Sequence, residues 1–288
     1  MLTVPQILSQ PVALLPQYAT SMIESYHGRL VHNIHESHLL ERRLEGHPPA
    51  QALGDGAVMV QEFKPYDLVE GVALIPISGA LMHEDTWWWD ETTYSSIAGK
   101  IGAAVVDSDV LGIALHINSP GGVVSGCFDL ADAVYGLRGE KPIWAIVDEA
   151  AYSAAYALAS SAERIIVPRT GGVGSVGVIC MHVDITKMLE EFGVKVTTVQ
   201  YGAYKSEGYP TTPLTDDARG RMQADVDVLG EMFVEMVARN RGIDASAVRK
   251  TEAGCFLGEA GVGIGFADAV MPVDQALMEF ITYVNKEK

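Results

Sequence analysis

Apolar positions along this sequence switch repeatedly between two rhythms. GVALIPISGAL (71–81) and VLGIALHI (110–117) are apolar almost without interruption over strand length, the pattern of strands buried on both faces. Between them, YSSIAGKIGAAVVDS places Ile97, Ile101 and Val105 four residues apart, one stripe of a helix. The alternation continues. FDLADAVYGLR predicts a helix, PIWAIV a strand, SAAYALASSA a helix, RIIVP and VGVI strands, ITKMLEEFG a helix and VKVTTVQYG a strand. A long helix is expected from Asp216 to Asn240, capped by Thr215 and ended by Gly242. Met222, Val226, Leu229, Phe233 and Val237 form its stripe, while Asp216 and Asp217 favour its dipole. Such alternation predicts an α/β fold with helices packed on the faces of the sheet and chemistry at the strand-to-helix junctions.

The beginning of the chain reads differently. SMIESYHGRLVHNIHESHLLERRLEG has Ile23, Leu30, Ile34 and Leu39 near helical spacing before the Gly46–Pro48 break, and residues 46–56 have the composition of a linker. Residues 1–56 are therefore read as an N-terminal helical arm and linker. Residues 57–288 form the main domain, with AVMVQEF as its first strand.

Composition narrows the function. Hydrophobic residues make up 48% and charged residues 20% of the 288 positions, so one large core is affordable and wholesale disorder is not expected. A net charge of -17, with no extended Lys/Arg cluster, argues against a nucleic-acid partner. Cys127, Cys180 and Cys255 are an odd set without paired spacing, which reads as free thiols in a reducing compartment. No Lys or Arg precedes Arg29 and the early apolar runs are short, so neither a signal peptide nor a membrane anchor is expected. His32, His35 and His38 follow no recognised ligand pattern, and an exposed polar helix face accounts for them better than a metal does.

Three strand-end segments carry candidate chemistry: NSPGG (118–122), DEAAYSAAYALAS (148–160) and GAYKSEG (202–208). Gly121 and Gly122 let backbone N–H groups approach a ligand closely and Pro120 stiffens the approach, as an oxyanion hole requires; an ordinary Pro-Gly turn is the plain alternative. Ser153 opens a helix of small residues, where its hydroxyl is either a nucleophile or a simple cap. A nucleophilic serine needs a base. Lys205, following an apolar strand, is the sharper candidate, provided that burial lowers its pKa by roughly three units. A close carboxylate would oppose that shift, so Glu207 and Asp148 should not pair with the amine, and Ser175 is an available hydroxyl partner. The rival base is His182, with Asp184 as its orienter.

NSPGG, YSAAYALAS, GGVGSVGVI and GAYKSEGYP, in that order, closely resemble the signal peptide peptidase A family, and its phage branch of capsid-assembly proteases most of all. The resemblance runs from about Gly71 to Val270 and includes GVALIPISGAL and GEAGVGIGFADAV. It implies a Clp protease/crotonase-like fold of repeated ββα units and a serine endopeptidase with a Ser/Lys dyad and no cofactor. It also implies protein substrates (scaffold, portal or capsid proteins), a homo-oligomeric ring, and a place inside the assembling prohead in the host cytoplasm. Residue by residue, Ser153 is the nucleophile and Lys205 the general base. Ser175 helps to orient the amine, and the N–H groups of Gly122 and Ala154 form the oxyanion hole beside Gly121. Ala154 and Ala155 stand where cellular members usually have Gly-Gly, and Lys288 falls where phage relatives often continue into a scaffold-like extension. Trp87, Trp88 and Trp89 suit a subunit contact, a groove wall or the core. The remaining alternatives are a cellular cytoplasmic protease of the same family, a crotonase-like acyl-CoA enzyme, and a non-catalytic scaffold- or portal-binding module.

Overall fold

The computed structural model describes residues 12–14, 64–84 and 92–286. Apart from residues 12–14, which form a short strand, the proposed helical arm and linker lie outside them, as do the AVMVQEF strand, the His32–His38 segment and the Trp87–Trp89 run.

The core is one sheet, ordered β10-β7-β6-β5-β3-β2. Its strands are β2 (Asp67–Val69), β3 (Val72–Met82), β5 (Gly112–Val123), β6 (Ile143–Tyr152), β7 (Arg164–Val167) and β10 (Ala269–Val270). The run from β10 to β3 is parallel and β2 closes it antiparallel. Four short strands attach to this path. β1 (Val12–Leu14) pairs with β5, β4 (Thr92–Thr93) with β3, and β8 (Gly172–Gly174) with β6 and with β9 (Cys255–Leu257).

Strand side chains alternate between two cores, which is why the strands read as unbroken apolar runs. Ile75, Ile77, Ile113, Leu115, Ile117, Ala145 and Val147 face one core. Over that face pack α1 (Tyr94–Val106), α2 (Cys127–Gly136), α3 (Ala154–Ser161) and the second half of α5 (Asp216–Arg241), which follows the short α4 (Thr186–Glu191). Val72, Ala114, Trp144, Ile146 and Ile166 face the other core. The chain then runs through α6 (Ala245–Arg249) and α7 (Gly258–Gly263) to α8 (Val273–Lys286). α8 covers the second core with Ala276, Phe280, Ile281 and Val284. Phe280 stacks on Trp144 at 4.7 Å between ring centroids. A Cβ on Gly112 would meet Val284 at 2.7 Å and Phe280 at 2.8 Å, so only glycine lets α8 lie this close.

The α5 prediction holds at both ends. The Thr215 side chain accepts from the Ala218 N–H, and Gly242 closes the helix at φ 65. Three expectations are corrected. NSPGG does not follow its strand as expected, nor is it the turn of the plain alternative: it lies inside β5, held extended by β3 along one edge. VGVI (176–179) forms no strand beyond an isolated bridge at Ile179; the pairing with β6 stops with β8 at Gly174. VKVTTVQYG (194–202) forms none either; no strand neighbours it among the described residues, and Val199 and Tyr201 stand in solvent.

Candidate active site

Ser153 occupies the turn between β6 and α3. Its backbone is at φ 56, ψ -121, a region that costs a non-glycine residue on the order of 1–3 kcal/mol and persists only where the surroundings enforce it. They do so from both sides. The Ser153 N–H donates to the Gly174 carbonyl at 2.8 Å, and its own carbonyl accepts from the Ala157 N–H at 2.9 Å. Ala151, Ala154 and Ala155 are fully buried around it. The serine itself is 1% exposed, and among the described residues its Oγ has no hydrogen-bond partner. A simple N-cap would accept from the first helical turn, and Ser153 makes no such bond. Its hydroxyl stands buried and unused at the N-terminal end of a helix, where developing negative charge is favoured.

The parallel register Ala151↔Val173 and Tyr152↔Gly174 sets the next residues, Ser153 and Ser175, side by side. Ser175 also lies at φ 56, its N–H donating to the Gly254 carbonyl at 2.9 Å. Gly174 admits no side chain: a Cβ would fall 2.5 Å from the Gly254 carbonyl oxygen.

β5 runs beside β6 on the approach to this turn. β6 follows β5 as far as Ser119↔Ala151 and then leaves it. The Gly121 N–H donates to Ser119 Oγ at 3.1 Å, and that hydroxyl donates to the Gly79 carbonyl at 2.7 Å. Gly121 thus shapes the strand with its amide already engaged. Gly122 lies so tightly on β3 that a Cβ would come within 2.0 Å of the Leu81 carbonyl oxygen. The far end is pinned by the Tyr94 hydroxyl, which donates to the Val123 carbonyl at 2.7 Å. Cys127, beneath α3, donates to the Ala154 carbonyl at 3.6 Å; burial pushes its thiol up to about 12, so it is no competing nucleophile. Ser119 and Tyr94 are positioning residues that sequence reasoning missed. Ser119 lies within NSPGG, where Pro120 and the glycines gave the only sequence signal.

Lys205 is not delivered to Ser153. It sits exposed in a series of turns, its N–H donating to the Gly202 carbonyl at 3.2 Å. The expected burial of the amine is therefore absent in the single chain, because the 194–202 stretch that was to carry it inward lies against no strand among the described residues. Neighbouring residues anchor the loop. Arg221 on α5 grips the Glu207 carboxylate with two N–H groups, and its guanidinium lies 4.1 Å above the Tyr204 ring. Glu207 is thereby engaged away from Lys205, as is Asp148, which accepts from Asn118 at 3.4 Å. The rival base fares no better. His182 Nε2 lies 3.2 Å from the Tyr209 carbonyl oxygen, and Asp184 accepts from the Thr186 N–H and hydroxyl at 2.8 and 2.6 Å. Among the described residues no three His, Cys, Asp or Glu side chains cluster to hold a metal ion.

A helix-covered sheet that ends one strand in a strained, buried serine and the next in a glycine edge has the layout of an acyl-transfer site. The chain belongs to peptidase family S49, whose profile matches residues 137–285. It is 37% identical over 223 residues to the head-tail preconnector protein GP5 of Enterobacteria phage P21, covering 76% of this chain and 44% of that protein. It is 33% identical over 220 residues to the capsid assembly protease C of Escherichia phage lambda, covering 75% of this chain and 50% of that protein. The chain thus spans about half the length of these relatives. Among solved structures, an enoyl-CoA hydratase from Shewanella pealeana is similar at a TM-score of 0.46 and 12% identity, covering 76% of this chain and 72% of that one.

Proposed function

We propose that this chain is a serine endopeptidase in which Ser153 is the nucleophile and Lys205 the general base. The observation that carries the reading is the Ser153 hydroxyl, buried, unpartnered among the described residues and held on a strained turn. The neutral Lys205 amine takes the hydroxyl proton as Oγ attacks the scissile carbonyl. The oxyanion that forms is met by the N–H groups of Gly122 and Ala154, the second being a first-turn helix donor with no intrahelical acceptor. Lys205 then returns the proton to the leaving amine, and water, activated by the same amine, releases the acyl group from Ser153. Ser175, beside the nucleophile, is the hydroxyl that orients the amine.

This chemistry needs Lys205 brought in from the surface. A homo-oligomeric ring supplies the means: a second copy lying against the exposed apolar residues of 192–201 would order that stretch and exclude water from the amine. The names of the relatives, a capsid assembly protease and a head-tail preconnector, point to scaffold, portal or capsid proteins as substrates inside the assembling prohead. The 57–288 unit acts as the peptidase domain.

The test is cleavage of a candidate scaffold protein and of casein, followed by gel and mass spectrometry from mildly acidic to basic pH. Parent, Ser153→Ala and Lys205→Ala chains are compared. Cleavage lost in both folded variants supports the dyad. Normal cleavage by Lys205→Ala removes the lysine from the mechanism, and a parent that cleaves neither substrate overturns the endopeptidase reading in favour of a binding module.

A further inference from the structure

β1 lies where an extended peptide would have to lie. It pairs antiparallel with the end of β5, Val12 opposite Val123, Ala13 opposite Gly122 and Leu14 opposite Gly121. A strand has two edges, and at Gly121 and Gly122 one of them is taken by Ala80 and Leu81 of β3. β1 therefore holds the other edge, along which β6 runs up to Ser119↔Ala151 before leaving it. Two residues past Ala151 comes Ser153. A segment on this edge has its backbone between the Gly122 strand and the nucleophile turn, and Ala13 is in register with Gly122 itself.

We infer that residues 12–14 are an intramolecular occupant of the peptide groove, a Val-Ala-Leu strand that competes with substrate for the Gly121–Val123 edge and holds the enzyme in check until displaced. An open strand edge presents unpaired N–H and C=O groups, and the backbone of any extended peptide satisfies them. Occupant and substrate thus use the same ladder and exclude one another. Being tethered, the occupant acts at a high effective concentration although its strand is only three residues long. The inference rests on the reading of Ser153 as the nucleophile for its consequence in catalysis, but not for the occupancy itself.

The two are separated by measuring binding in full-length chains carrying Ser153→Ala, where nothing can be cut. The probe is a fluorescently labelled synthetic peptide of residues 8–18, followed by anisotropy. Val12→Pro, Ala13→Pro and Leu14→Pro are each added in turn, because proline removes a ladder donor and successive N–H groups of a strand point to opposite sides. If the strand fills the groove in about nine molecules of ten, freeing it tightens peptide binding about tenfold in at least one proline variant. Hydrogen exchange at the Gly121–Val123 amides should quicken in that same variant. Unchanged binding and unchanged exchange in all three folded variants would overturn the inference. The same proline changes are then placed beside an intact Ser153. Tighter binding without cleavage leaves the occupancy standing and sinks the peptidase reading, whereas cleavage that the proline changes do not quicken sinks the inference alone.

Discussion

The proposed nucleophile and its proposed base stand in regions built on opposite principles. Ser153 ends a strand with neighbours on either side, under a helix whose eight residues are all buried. Lys205 belongs to the stretch from Cys180 to Leu214, where one short helix and a series of turns leave Phe192 at 76%, Val199 at 95% and Tyr201 at 100% exposure. The chain's own core thus fixes the strained serine. The position of the lysine is left to whatever covers those apolar side chains. A protease assembled this way would fold with its nucleophile preset and gain its base on assembly, which keeps an unassembled copy harmless.

Ser153→Ala tests the preset half with the largest effect. Cleavage should fall by about 10⁴-fold or more, since removal of a nucleophile leaves only what binding and the oxyanion hole supply. Stability should move the other way. The buried, unpaired Oγ costs about 1–3 kcal/mol in desolvation, so the variant should melt at or above the parent temperature in calorimetry. A lower melting temperature would mean that the hydroxyl has a structural partner and is not held in reserve.

Phe280→Ala probes the same region from the far side of the sheet. The ring is fully buried against Trp144, so its loss should destabilise by about 3–5 kcal/mol in urea unfolding. It lies on the face opposite the core beneath α3, so the folded fraction should keep its rate per Ser153. A rate loss in that fraction would show that the site is less rigidly preset than its packing implies.

The sequence disclosed these two regions unequally, for physical reasons. β3, β5 and β6 were legible because a strand buried on both faces must be apolar throughout, and Ser153 because small residues directly after such a strand mark a helix start. VKVTTVQYG misled because half-apolar alternation describes a strand edge equally well whether its partner lies in the same chain or in another. NSPGG misled in the other direction. Pro-Gly is a turn signal in isolation, and pairing with β3, β6 and β1 together with the Ser119–Gly79 hydrogen bond keeps it extended. The strain at Ser153 and Ser175 belongs to three-dimensional pairing with Gly174 and Gly254, which no local pattern encodes. The Ser119, Tyr94 and Arg221 contacts join residues whose pairing depends on register.

Arg221→Ala moves the comparison to the conditional half. Its ion pair with Glu207 is part-exposed and worth less than about 1 kcal/mol to folding, so the melting temperature should hardly change. With Tyr204 and Glu207 released, the loop bearing Lys205 loses its anchor. Turnover should drop about tenfold, in line with the loss of one positioning contact, with KM little altered. An equal loss of stability would place this loop with the rigid core and erase the distinction.

Tyr201→Ser should have the smallest effect on the single chain and the most informative one on the assembly. The side chain is 100% exposed, so removing it should leave unfolding within about 0.5 kcal/mol of the parent. If the 192–201 stretch is covered by a second copy, the same change lowers the mass seen by light scattering and takes cleavage down with it, in proportion to the copies lost. A parent that is monomeric yet fully active would instead require Lys205 to reach Ser153 by folding of its own loop. In that case Tyr201→Ser and Arg221→Ala should act on the same step, and combining them should cost no more than the larger of the two alone.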